Sequence, residues 1–154
     1  MRFAALVGLL VIAAPPAAAA PHGGLVVVQT AKLLAAGGGV GHEFGAAISA
    51  SDSGDRVLVG SGTFSNGTAY VFVDDGTGWV QESVVSAGAA QSAYGSAVVL
   101  AGTTAIVGAP YDIVLTVRKG AAHVFERSGT AWSYQARLVA DDGHFEDAFG
   151  SAFA

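Results

Sequence analysis

The 154-residue chain is long enough for one domain with a real core, is 52% apolar and only 12% charged, and carries a formal net charge of −5. Twelve acidic against seven basic residues, with no basic stripe, exclude a phosphate-neutralising surface, so no nucleic acid is expected as a partner. There is no cysteine, which excludes disulfides and leaves strand pairing and packing to hold the fold.

The first element in the chain is a leader. Met1-Arg2 is a short basic start, Phe3–Ala14 an unbroken apolar run, and "PPAAAA" a small-residue exit. This order is that of a secretory signal peptide over residues 1–20, cut near Ala18–Ala20. The run is too short to span a bilayer, which needs about 20 apolar residues. Nothing in it is amphipathic, which argues against the alternative of a buried N-terminal helix. Export follows, to a secreted, periplasmic or cell-surface location with no stable membrane insertion after cleavage. Loss of Arg2 leaves six basic residues against twelve acidic ones.

After about residue 24, short β-rich runs alternate with Gly, Asn, Asp and Ser punctuation, and no segment sustains a helical period. Strands are predicted near 45–50, 56–60, 68–73 and 79–85, then near 94–100, 104–108, 121–126 and 132–139, with a new first strand from 149. The chain repeats itself. "GTAYVFVDDGTGW" (67–79) matches "GAAHVFERSGTAW" (120–132), and "RVLVGSG" (56–62) matches "TAIVGAP" (104–110). "EFGAAIS" (43–49) returns as "AYGSAVV" (93–99) and "AFGSAFA" (148–154), a period of about 50 residues. Four short antiparallel strands at that period predict all-β propeller blades. Two are complete and others partial, an incomplete ring. A stacked solenoid or a sandwich is the alternative, but solenoid rungs are usually shorter.

The organisation expected is a leader at 1–20, an N-terminal segment with an outer closing strand at 21–33, and repeats at 34–85 and 86–139. The start of a third repeat follows at 140–154. Glycines 45, 95 and 150 allow close backbone approach at the start of each innermost strand. Phe44, Tyr94 and Phe149 are expected between adjacent blades, and Trp79 and Trp132 over the sheet interfaces.

Phe44-Gly45, Phe149-Gly150 and Gly108-Ala109-Pro110, with "AYVF" and the Trp…Gln pairs in the same order, resemble the FG-GAP repeat of integrin alpha propellers and many secreted bacterial proteins. The resemblance covers nearly all of 29–154, with Tyr94 replacing Phe and Gly60-Ser61-Gly62 replacing Gly-Ala-Pro. It implies a ring of usually seven blades. Either further blades or self-association is therefore expected, and the chain reads as a fragment of a longer protein.

The resemblance also implies cation sites in the loop between strands one and two. Here those loops are "SASDSGDR" (49–56) and "LAGTTA" (100–105), which retain only Asp52 and Asp55 as weak candidate ligands. Calcium takes six to eight oxygens, so no cofactor is expected and Asp-Ser-Gly-Asp reads as a hairpin turn.

In an up-and-down blade the loops between strands two and three share a side with the loops joining blades. That side carries Tyr111, Asp112, Arg118 and Lys119 with the acidic group Asp141, Asp142 and His144, the expected ligand-binding residues. No nucleophile elbow, zinc-protease motif or P-loop is present, and Asp141–Asp142 do not define a glycosidase pair. His22, His42, His123 and His144 lack metal-ligand spacing. Asn66-Gly67-Thr68 matches a glycosylation acceptor but more simply marks a tight turn. The expected function is non-catalytic binding or adhesion to an extracellular protein or polysaccharide. A propeller accessory domain of a larger secreted enzyme and a structural envelope scaffold are the alternatives.

Overall fold

The computed structural model describes residues 29, 31–36, 41–63, 67–87 and 93–153. The expected leader and Asn66 lie outside them. Two four-stranded antiparallel sheets follow one another along the chain, each wound as a meander. The first blade comprises β1 (Ala47–Ala50), β2 (Arg56–Gly60), β3 (Ala69–Asp74) and β4 (Trp79–Val85). The second comprises β5 (Val98–Ala101), β6 (Thr104–Ala109), β9 (Ala121–Ser128) and β10 (Ala131–Leu138). Between β6 and β9 a small hairpin is inserted, β7 (Ile113–Val114) paired with β8 (Val117–Arg118).

The strand sequences explain why the first blade is covered on both faces. Alternate residues of a strand point to opposite sides. On β2, Val57 and Val59 enter one cluster with Tyr70, Phe72, Leu33 and Phe44, whereas Leu58 enters the other with Ala69, Val71 and Val85. The second cluster continues into the second blade through Tyr94, Leu100, Ala105, Val107 and Phe125. It is the seam between blades. The tryptophans flank these clusters as expected, Trp132 against the seam and Trp79 against the other cluster. Phe44 meets Tyr70 and Phe72 edge-on at 5.6 and 5.9 Å, and Tyr94 stands 5.5 Å from His123 in the corresponding arrangement.

The three returns of aromatic-glycine are one backbone structure used three times. Glu43, Ala93 and Ala148 have φ of 33°, 58° and 55°, and Gly45, Gly95 and Gly150 have φ of 95°, 87° and 83°. In each, the amide two residues after the aromatic (Ala46, Ser96, Ser151) donates to the carbonyl before it (Glu43, Ala93, Ala148) at 3.1 Å. Gly95 seats against the preceding blade so closely that a Cβ on Gly60 would lie 1.9 Å from its carbonyl oxygen. Gly150 repeats this on Gly108, also at 1.9 Å. Only glycine permits that approach.

This turn also accounts for where strand pairing starts. Strands expected from 45 and 94 begin at Ala47 and Val98 because the turn takes their first residues. The strand expected from 149 is, over the described residues, the same turn with an isolated parallel bridge from Phe149 to Gly120.

Candidate binding face

The β1–β2, β3–β4, β5–β6 and β9–β10 turns share one end of the blades. There Asp55 accepts hydrogen bonds from Ser53 Oγ and from Ser51 Oγ (3.0 Å), and pairs with Arg56. The hydroxyl of Ser53 first, with smaller help from Ser51 and the Arg56 charge, holds its carboxyl below the usual range against an opposing effect of burial that is larger than either of those two. Asp52 is exposed. Among the described residues no three His, Asp or Glu side chains are grouped as metal ligands would be. The Asp55 oxygens are committed to a hairpin turn, so the two carboxylates do not fit a calcium ion. An open groove of about 390 Å³ beside them also touches Thr103 and Arg127.

The opposite end gathers the β6–β9 loop and the loop leaving β10, as the strand order predicts. Lys119 Nζ donates to the carbonyl of Ala140 at 2.9 Å, the Glu146 amide to the carbonyl of Arg118 at 2.7 Å, and the Phe149 amide to the carbonyl of Lys119 at 3.0 Å. Tyr111, Arg118 and Lys119 are half-buried there, while Asp141, Asp142 and His144 are exposed. The His144 amide donates to Asp147 Oδ2 at 2.5 Å, which curls the acidic loop on itself.

Asp112 has a different place from its neighbours. It is 5% exposed, with Oδ2 3.2 Å from His123 Nε2 and 2.6 Å from Arg137 Nη2. Arg137 Nη2 also donates to the carbonyl of Ile113 at 2.7 Å. A carboxylate from the loop is thereby fixed to β9 and β10, and it anchors the face rather than standing on it.

What the sequence reading missed is apolar. Leu115 is 90% exposed, Phe145 64% and Ile113 57%. Leu115 forms the tip of the β7–β8 hairpin with φ of 59°, and the Thr116 amide donates to the carbonyl of Val114 at 2.9 Å. That is a tight three-residue turn at a positive φ unusual for leucine. The signal was present in the sequence: "DIVLTV" is too apolar for a solvated loop.

Residues 79–125 match the FG-GAP repeat model. The matched stretch begins on β4, crosses the seam and ends within β9. Over that stretch the chain is similar to an FG-GAP repeat, and its two antiparallel four-stranded sheets are consistent with blades of the propeller type. No curated protein matches its sequence.

Proposed function

We propose that the chain is an exported, non-catalytic recognition module that binds a protein outside the cell or at its surface through the β6–β9 and post-β10 loops. The observation that carries this reading is Leu115. A large apolar side chain held in a strained backbone conformation, almost wholly in water, weakens a fold unless something contacts it. The loop bearing it is braced by Asp112, Lys119 and Arg137, so the tip is presented on a stiff support. Asp141, Asp142, Glu146 and Asp147 are exposed on the post-β10 loop, which the Glu146 amide joins to Arg118 on β8, and their negative charge favours a neutral or basic partner. A polysaccharide is the second reading, supported by Tyr111 and the exposed Phe145 beside acidic groups. Catalysis has no support at the His123–Asp112 contact, since both residues are buried and Asp112 is also engaged with Arg137.

The test uses arrays of extracellular matrix proteins and of neutral, uronic-acid and amino-sugar polysaccharides, with wild type, Leu115→Gly and Phe145→Ala. Leu115→Gly relieves the backbone strain, so its Tm should hold or rise while binding falls at least tenfold. Binding unchanged in both variants would sink the assignment of the face. Loss confined to Phe145→Ala on a sugar array would select the polysaccharide.

A further inference from the structure

At the end of the sheets away from the β6–β9 loop, the groove of about 390 Å³ is lined from both sides of the seam. The β1–β2 turn supplies Ser51, Asp52, Ser53 and Asp55 from the first sheet. The second sheet supplies Gly102 and Thr103 from the β5–β6 turn and Arg127 from near the end of β9.

Most of the charges around this groove are matched within the fold. Arg56 holds Asp55 and Glu82, and Asp55 also accepts the hydroxyls of Ser51 and Ser53. Glu126, next to Arg127, accepts the hydroxyls of Thr103 and Thr104. Two groups are left over. Arg127 makes no ion pair among the described residues, whereas Arg56 and Arg137 both hold carboxylates. Its guanidinium donates from Nη1 to the carbonyl of Gly129 at 2.6 Å, and its Nε is buried without an acceptor. A buried donor left in that state is unfavourable and rare, and arginine is the side chain best shaped to take up a carboxylate. Asp52 is exposed and has no hydrogen-bond or ion-pair partner among the described residues. An unmatched cation and an unmatched anion therefore line one groove, each from a different sheet.

We propose that this groove binds a small zwitterion of the amino-acid or short-peptide class, its carboxylate held by Arg127 and its ammonium by Asp52. The charges lining the groove favour such a ligand over a simple anion. Arg56 and Arg127 are offset there by Asp52 and Asp55, so a dianion attracted to one wall is repelled by the other. A neutral sugar would leave both charges unmatched. The groove is open and leaves much of its ligand in water, which sets Kd on the order of 1 mM. The site lies at the opposite end of the sheets from Leu115 and takes a different ligand.

The experiment titrates the protein with glycine, diglycine and triglycine, which carry the same two charges at increasing separation. Acetate and ethylamine, with one charge each, are the comparison. At least one of the glycine series should shift the NMR signal of the Arg127 Nε–H and raise Tm, and acetate and ethylamine should bind roughly tenfold or more weakly. Arg127→Gln and Asp52→Asn, read by the ligand-induced rise in Tm, should each weaken the zwitterion roughly fivefold or more. Neither side chain belongs to a core cluster, so the unliganded variants should keep their Tm within about 3 °C. Leu115→Gly should leave zwitterion binding unchanged. No response to any of the three glycine probes at roughly ten times that Kd would overturn the proposal. So would acetate binding as tightly as the zwitterions, Asp52→Asn without effect, or a loss of zwitterion binding in Leu115→Gly.

Discussion

Single glycines and hydroxyls set the tightest constraints in this molecule. A Cβ at Gly60 would meet a backbone carbonyl, which cannot swing aside as a side chain can. Gly60→Ala should destabilise by about 3 kcal/mol. Gly54, at φ of +72° with nothing within 4 Å, should lose only about 1 kcal/mol as alanine, from backbone strain. Urea melts of the two variants check the difference. At Asp55 the hydroxyl of Ser53 is the first cause of the depressed carboxyl pKa, so Ser53→Ala should raise that pKa, read by NMR titration. Asp75, held by Thr77 and Gly78, and Glu126, held by Thr103 and Thr104, are depressed in the same direction. A carboxyl more acidic folded than unfolded stabilises above its unfolded value and loses that contribution as pH falls through the folded one. Tm should therefore be level above about pH 5 and fall below about pH 4, the ordinary carboxylate range. The Asp55 side chain is 41% exposed and solvent screening keeps its share small.

Between strands, two polar clamps decide how elements are held. Glu82, with its side chain 4% exposed, accepts two bonds from Arg56 (3.3 and 3.2 Å) and one from Trp132, tying β2 and β4 to β10. Glu82→Ala strands a guanidinium and an indole in the seam and should cost about 3 kcal/mol. Trp132→Phe keeps most of the apolar contact and should cost about 1 kcal/mol beyond any packing loss. A double-mutant cycle reads the coupling. Asp112 clamps the other end. Asp112→Ala should speed amide exchange across residues 110–119 while leaving β1–β4 unchanged, because the carboxylate joins the loop only to β9 and β10. From sequence, strand identity at this scale was legible: β-branched runs ended by Asp-Gly and Ser-Gly gave all eight blade strands to within a few residues. The β7–β8 hairpin was not, because "IVLTV" lies between two matched segments of the second repeat and so reads as a loop by position alone. Nor was the burial of Asp112, since an acidic residue beside Tyr111 carries no mark of a partner 25 residues away on β10.

For the whole molecule, the repeat carried most of the fold into view, because the same backbone problem recurs wherever one sheet meets the next. Tyr94 could be placed between blades from the aromatic-glycine word it shares with Phe44 and Phe149, and it lies there, its hydroxyl donating to the carbonyl of Val85 at 3.2 Å. The inner strands are joined just as simply, by the Leu100 amide donating to Ser49 Oγ at 3.0 Å. The face built from the β6–β9 and post-β10 loops resisted because its residues come from segments that the repeat does not govern. The glycine-to-glycine contact of Gly60 with Gly95, and again of Gly108 with Gly150, has a genealogical consequence. Such a joint matches main chain to main chain and asks almost nothing of the side chains elsewhere in either unit. A gene built of such units can gain or lose one by unequal crossing-over without any compensating change at the junction. The number of units can then drift between lineages faster than the sequence of any one of them.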